Sequence, residues 1–382
     1  MGAVKMFQRP LTEESPIMSI LGIHHITLAS ADAQRTINFY TKVLGQRFVK
    51  QTINFDDPTS YHLYFGDELG RPGTAITFFE WRGAPRGRRG IGGTHHFALR
   101  VQSYQGLLKW KRRLTDLGIK VNGPLNRNYF QSIYFNDPDG VILEIATDSP
   151  GFLIDESPEV LGSTFQAPPA DMVLANRDEA AVDAETWPTP VDVITGDMAL
   201  LNGMHHITAI SDNIERTHKF YGELLGMQRV KQTDNFDHAG SAHWYWGVEN
   251  GKPGTIITYF ERHERDTQYS QMGTGHTHHF ALAVADEDEQ LRWREKLVKA
   301  GLPVSPVMNR TYFKSIYTRD PNGHIVELAT LGPGFAVDED PATLGQTLQI
   351  PAMHAHMTSF IQSNLVPLVV PAWVPPQEVV NE

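Results

Sequence analysis

The feature that most constrains this chain is that it is written twice. LGIHHITLAS at 21–30 recurs as NGMHHITAIS at 202–211, FYTKVLGQRFVKQT at 39–52 as FYGELLGMQRVKQT at 220–233, and RPGTAITFFE at 71–80 as KPGTIITYFE at 252–261, all 181 residues apart. Further on, GTHHFALRV at 93–101 matches HTHHFALAV at 276–284, NRNYFQSIYFNDPDGVILEIAT at 126–147 matches NRTYFKSIYTRDPNGHIVELAT at 309–330, and LGSTFQAPP at 161–169 matches LGQTLQIPA at 344–352, at an offset of 183. A repeat of this length sets the architecture ahead of any local propensity. Each half is itself doubled, because IHHITL and THHFAL both open a unit, 71 residues apart in the first half and 73 in the second.

Each unit reads strand, helix, strand, strand, strand. Residues 22–29 alternate as a strand; 31–44 place Ile37, Phe39, Tyr40, Val43 and Leu44 at helical spacing and stop at Gly45. RFVKQTI, SYHLYFG and GTAITFFEW follow as β-rich runs separated by turn residues. In the second unit an amphipathic run at 103–117 stops at Gly118, and the turn NDPDG at 136–140 leads into VILEIAT. The expected fold is α+β: four βαβββ units in two tandem halves, 21–162 and 201–350. An N-terminal extension (1–20), a linker containing APPA and WPTP with one short helix (163–200) and a C-terminal tail (351–382) complete the chain.

Composition narrows the chemistry. The formal charge of −11 argues against a nucleic-acid partner, and the one basic run, Arg82, Arg86, Arg88 and Arg89, reads as a solvated loop. No apolar stretch is long enough to span a membrane and the N-terminus has no signal-peptide core, so a cytoplasmic enzyme without a membrane partner is expected. There is no cysteine, which removes thiolate catalysis and thiolate metal sites. Any bound metal must use imidazole and carboxylate, which suits Fe(II), Mn, Zn or Ni. Histidine is abundant: 17 residues, with four adjacent pairs.

Strand alternation sorts those pairs. In THHFALRV, His95, Phe97, Leu99 and Val101 share the apolar face, and His96, Ala98 and Arg100 the other; in IHHITLA, His25 and Thr27 oppose His24, Ile26 and Leu28. The second histidine of each pair (His25, His96, His206, His279) therefore faces the less apolar side, and the first points to the core or edges a cavity from the strand end. Glu144 and Glu327 lie on apolar strands, each 48 residues after the last histidine pair of its half. A buried carboxylate there needs a cation, either a metal or a buried arginine such as Arg127 or Arg310. The candidate ligands are thus two His-His-Glu sets.

Paired βαβββ units with His on a first strand and Glu on a last strand resemble the vicinal oxygen chelate superfamily, across nearly the whole chain except linker and tail. IYTRDPNGHIVE (316–327) and IYFNDPDGVILE (133–144) resemble the end of the signature of extradiol ring-cleaving dioxygenases. The earlier histidine of that signature is absent and Arg127 or Arg310 stands near its place, which, with LGQRFVKQT, YHLYFGDELGRPGT and NRTYFKSIY, is closest to the hydroquinone 1,2-dioxygenase branch. The resemblance implies a ring-cleaving enzyme acting on a hydroquinone- or catechol-type diol with O2, using Fe(II), or Mn(II) by ligand type. It implies pairing of units one and four, with His25, His279 and Glu327 as the favoured metal site. Pairing of units two and three then leaves His206, His96 and Glu144 as a second, or vestigial, site. It assigns His24, His278, Tyr317 and Arg310 as catalytic groups and Thr27, Arg310 and Tyr317 as substrate contacts, with Thr208, Arg127 and Tyr134 as their second-site counterparts. If units pair within halves, the same six ligands regroup.

Two rivals stand beside this reading. A glyoxalase-type isomerase needs a fourth protein ligand, for which Glu80 or Glu261 is the candidate. A metal-free binding protein of the bleomycin-resistance kind is disfavoured by the repeated His-His-Glu sets. A homo-oligomer is compatible with the sequence, and the tail is a candidate subunit contact.

Overall fold

The computed structural model describes residues 18–200, 202–262 and 268–378; most of the expected N-terminal extension, 1–17, lies outside the described residues. Unit one contributes β1 (Gly22–Ser30), α1 (Ala33–Asn38), β2 (Arg47–Asn54), β3 (Asp57–Gly66) and β4 (Ala75–Glu80). Unit two contributes β5 (Thr94–Val101), α2 (Tyr104–Asp116), β6 (Asn122–Asn126), β7 (Gln131–Asn136) and β8 (Ile142–Thr147). The linker carries the one expected short α-helix, α3 (Glu179–Ala184). Unit three holds β9 (Met204–Ser211), α4 (Ile214–His218), β10 (Gln228–Asn235), β11 (His238–Gly247) and β12 (Ile256–Glu261). Unit four holds β13 (His276–Val284), α5 (Glu287–Lys299), β14 (Met308–Asn309), β15 (Lys314–Arg319) and β16 (Ile325–Thr330), and β17 (Leu348–Gln349) follows. α1 and α4 each continue into about one wider, π-helical turn, over Phe39–Val43 and Lys219–Leu224.

The units pair across the two halves. One sheet runs β14-β15-β16-β13-β1-β4-β3-β2-β17, joining unit four to unit one; the other runs β10-β11-β12-β9-β5-β8-β7-β6, joining three to two. In each, the two opening strands meet antiparallel at the centre, β1 with β13 and β5 with β9. The four histidine strands are thus central, and the carboxylate strands β16 and β8 lie beside β13 and β5.

Alternation holds along these strands. Phe97, Leu99 and Val101 of β5, with Ile26 and Leu28 of β1, enter one continuous core, whereas Ala98 and Ala281 belong to small clusters on the opposite side. The helices seal the core side. Ser103 caps α2 by accepting from the Gly106 N–H, and α2 buries Leu107, Trp110 and Leu114; Asp286 caps α5, which buries Trp293 and Leu297. Gly118, at φ +76°, ends α2 in a conformation that only glycine adopts without strain.

The repeat also organises linker and tail. Phe165 bridges Gln232 of β10, and β17 pairs with Gln51 and Thr52 of β2, so equivalent segments cover equivalent sheet edges. Two fully buried lysines fasten these segments: Lys50 to Asp338 and Glu339, Lys231 to Asp155 and Glu156. The arginine run is not wholly a free loop. Arg86 and Arg88 form bridges with Thr274 and Gln271, joining the two halves. Among the described residues no helix is long and apolar enough to cross a membrane.

Candidate metal centres

Register builds the first centre. His25 of β1 pairs with Ala281 of β13, and Ala281 pairs with Glu327 of β16. His279 lies two residues before Ala281 and so shares its face. The methyl group of Ala281 leaves room above it, and the three functional groups converge there. His25 Nε2 is 3.3 Å from His279 Nε2 and 3.4 Å from Glu327 Oε2, and His279 Nε2 is 2.9 Å from the same oxygen. The second centre repeats this around Ala98, with His96 Nε2 3.3 Å from His206 Nε2 and Glu144 Oε2 at 2.9 and 3.2 Å from the two rings. All six residues are buried.

Simple alternation would send the two members of each histidine pair to opposite faces. The structure departs from it at those positions. The pairing of β1 with β13 skips His24 and His278, and that of β5 with β9 skips His95 and His205, so the first histidine of every pair is a β-bulge residue. A bulge re-aims a side chain next to a site. It brings the Nδ1 atoms of the pair to 2.8–2.9 Å in all four cases.

That contact fixes tautomers. The Thr330 carbonyl only accepts, so the His24 Nε2–H donates to it at 3.1 Å and His24 Nδ1 is left as an acceptor. His25 Nδ1–H must then donate to His24, which leaves His25 Nε2 as a lone pair directed at His279 and Glu327. Both oxygens of Glu327, and Oε2 of Glu144, are buried without a hydrogen-bond partner; Glu144 Oε1 accepts from Ser132. Among the described residues neither carboxylate pairs with lysine or arginine: Arg127 is taken by Asp237 (2.8 Å) and Arg310 lies 3.5 Å from Asp56. Burial opposes ionisation of Glu144 and Glu327, but the adjacent histidines outweigh it and hold both well below the usual carboxylate range. Lone pairs and an anion facing one another out of water fit a divalent cation, and these donors fit the two-histidine, one-carboxylate type.

The structure distributes the other expected site residues unevenly. His278, Arg310 and Tyr317 line the first cavity, and His95, Arg127 and Tyr134 the second. His24 does not line a cavity; it is a buried strut behind His25. Thr27 is also set back: its hydroxyl bonds Thr77 (2.8 Å), which bonds His62 Nε2 (2.9 Å), whose Nδ1 bonds the Tyr64 hydroxyl (2.9 Å). Thr208 lies equally deep, its hydroxyl unpartnered. His62 and Tyr64, with His243 and Tyr245 opposite, are cavity residues that the sequence reading did not single out. Burial holds His62 well below the usual histidine range, so it serves as a neutral hydrogen-bonding group. Arg310 Nε–H donates to the Tyr317 hydroxyl at 3.3 Å, and burial, with Glu327 nearby, pushes that phenol up. Tyr317 therefore keeps its proton. Phe55, Phe79, Trp81 and Phe313 supply aromatic walls to a space of about 140 Å³; the second cavity measures about 270 Å³.

Among the described residues, no fourth ligand of the kind an isomerase needs joins either triad. Glu80 accepts from the Ala33 N–H at 3.0 Å and pairs with Arg82, and neither Glu80 nor Glu261 is among the residues lining the two cavities.

Residues 22–145 and 203–328 match the model of the Glyoxalase/Bleomycin resistance protein/Dioxygenase superfamily. The chain belongs to that superfamily. MhqO of Bacillus subtilis, which carries the provisional name of a ring-cleaving dioxygenase, is 33% identical over 92% of this chain and 97% of its own length. The chlorohydroquinone/hydroquinone 1,2-dioxygenase of Sphingobium indicum is 29% identical over 86% of this chain and 91% of its own. A crystal structure of a Bacillus subtilis protein provisionally titled a dioxygenase superposes with a TM-score of 0.74 at 32% identity, covering 93% of this chain and 99% of that one. Glyoxalase I from Zea mays, at 16% identity and TM-score 0.53 over 81% of this chain and 92% of its own, shares the fold.

The role of His24 is open to a direct test. Outer-shell partners of metal histidines carry about 10–100-fold in affinity. His24→Phe keeps bulk but removes the acceptor for His25, so metal affinity at the first centre is expected to fall by that factor while the second centre is unchanged. Equal affinity in metal titrations of variant and parent would show that the bulge pair does not orient the ligand.

Proposed function

We propose that this protein is a metal-dependent ring-cleaving dioxygenase that opens a hydroquinone- or catechol-type diol with O2, in the extradiol manner, with Fe(II) held by His25, His279 and Glu327 and again by His206, His96 and Glu144. The observation that carries the reading is the pair of buried three-donor triads, each opening on an aromatic-walled cavity. The names of the relatives support the substrate class. Bound there, Fe(II), or Mn(II) by ligand type, would supply Lewis acidity and an electron path between diol and O2.

The chain's own residues do the rest. Phe55, Phe79 and Phe313 enclose the ring and exclude water. Tyr317 accepts from Arg310, so its own O–H is free to donate to an oxygen in the cavity. Arg310 offers positive charge to anionic species formed as the ring opens. His278 lines the cavity and accepts from His279 at Nδ1, so its neutral ring presents the Nε2–H as a hydrogen-bond donor to a diol oxygen. His24 and Thr27 position their neighbours and do not meet substrate. Cytoplasmic location and homo-oligomeric assembly complete the proposal.

The test is oxygen uptake. Apoprotein reconstituted anaerobically with Fe(II) and mixed with hydroquinones and catechols should consume one O2 per ring opened. No uptake with any diol, beside turnover of a thiol hemithioacetal with Ni or Zn, would replace this reading with the isomerase.

A further inference from the structure

The mouths of the two cavities are held by different parts of the chain. Phe55 and Asp56 turn between β2 and β3 at the first, Phe236 and Asp237 between β10 and β11 at the second, and each turn lines its cavity. The tail reaches the first turn, where the His354 ring donates to the Phe55 carbonyl at 2.9 Å. The linker reaches the second, where the Leu174 N–H donates to the Phe236 carbonyl at 2.9 Å.

The linker then adds a cation. Arg177, whose side chain is 8% exposed, places Nη1 3.1 Å from Asp237 Oδ1. Arg127 Nη2 lies 2.8 Å from Asp237 Oδ2, so each carboxylate oxygen has its own guanidinium. Arg177 also donates back into the linker, from Nε to Glu179 (2.7 Å) and from Nη1 to the Met172 carbonyl (3.4 Å). Burial opposes ionisation of Asp237, but Arg127 and then Arg177 hold it below the usual carboxylate range. The first centre is built differently. Beyond Arg319 the sequence contains no lysine or arginine, so the tail has none to offer. Among the described residues Asp56 pairs only with Arg310, at 3.5 Å, and is 69% exposed where Asp237 is 32%. The two arginines meet their tyrosines alike, Arg310 Nε at Tyr317 and Arg127 Nε at Tyr134, both 3.3 Å. Arg127 is thus fixed at both ends and Arg310 at one.

We infer that Arg177 is a positioning residue for the second centre: it acts through Asp237 to fix the Arg127 guanidinium beside Tyr134, and Arg310 has no such support. The effect on turnover rests on the proposed diol chemistry; the effect on Arg127 does not. A carboxylate held by two guanidiniums makes charge-assisted hydrogen bonds on both oxygens, each about twice as strong as a neutral one. Without Arg177, Oδ1 turns to solvent and Arg127 loses a fixed partner. Arg127 faces the anionic species formed as the ring opens and not the neutral diol, so its misplacement lowers kcat and spares KM.

The test uses the full chain carrying Glu327→Gln, in which only the second centre holds metal. Arg177→Met is expected to lower kcat for hydroquinone about tenfold with KM little changed, within what a misplacement of about 1 Å can cost. Arg177→Lys should recover most of the loss. In a chain carrying Glu144→Gln, Arg177→Met should leave turnover at the first centre unchanged. Added to Asp237→Asn, it should cause no further loss. A crystal structure of the Arg177→Met protein should show the Arg127–Asp237 contact lengthened toward the 3.5 Å that separates Arg310 from Asp56. An unmoved Arg127 guanidinium, or an undiminished loss in the Asp237→Asn chain, would overturn the inference, because Arg177 would then only hold the linker down. If no diol drives O2 uptake while Arg127 is displaced in the crystal, the diol reading fails and the positioning role stands.

Discussion

Replacing Glu327 by glutamine is expected to empty the first centre and leave the second intact: metal content falls from two ions per chain to one. Diol turnover at the first centre should fall by more than the roughly hundredfold that outer-shell groups carry. The amide has nearly the shape of the carboxylate, so the fold survives, but it brings no charge to offset a divalent ion. His25 and His279 alone, 3.3 Å apart at Nε2, are a weak two-donor site. Glu144→Gln should do the same to the second centre, and the double variant should hold no metal. The two effects should add, because each triad lies in a separate sheet with its own ligands. Elemental analysis after gel filtration reads the count. One ion per chain in the parent protein, unchanged by Glu144→Gln, would make the second triad vestigial.

Removing metal is expected to cost the fold much more than any single surface change. A ligand that binds only the native state at a thousandfold above its Kd stabilises by about 4 kcal/mol, and each centre contributes separately. The structure gives the reason for a large effect. Without a cation, the lone pair of His25 Nε2 and the unpartnered oxygens of Glu327 remain buried at contact distance. A strong chelator should therefore lower the melting temperature markedly, and stoichiometric Fe(II) should restore it. In the Glu144→Gln, Glu327→Gln protein the chelator should have no effect. A melting curve that chelator leaves unmoved in the parent would mean that the triads are satisfied by protons alone.

Much of this was legible in the sequence because repetition removes ambiguity. One histidine on a strand says little, but four HH pairs at one place in four units mark a site, and Glu144 and Glu327 stand out as carboxylates on otherwise apolar strands. The fold followed from the same repeats. What the sequence did not disclose depends on long-range geometry. Partner choice, unit one with unit four, is decided by which opening strands meet at the sheet centre, and either grouping satisfies the local pattern. The bulges at His24, His95, His205 and His278 are invisible to an argument from alternation, which assumes an unbroken ladder. The family resemblance assigns His24 a catalytic role, whereas its ring is tied to the Thr330 carbonyl. The same resemblance makes Thr27 a substrate contact, and it lies two hydrogen bonds behind His62. His62 and Tyr64 had a signal: His243 and Tyr245 recur at the offset of 181 with the same spacing of two. It was masked because a His-x-Tyr strand looks like ordinary β-sheet filling.

The central claim is that two His-His-Glu triads in one chain each bind a metal ion. Anomalous diffraction from crystals grown anaerobically with Fe(II) and measured across the iron edge tests it most directly. Two peaks are predicted, one among His25, His279 and Glu327 and one among His206, His96 and Glu144. A map with no peak in either triad, or with iron held by other residues, would contradict it.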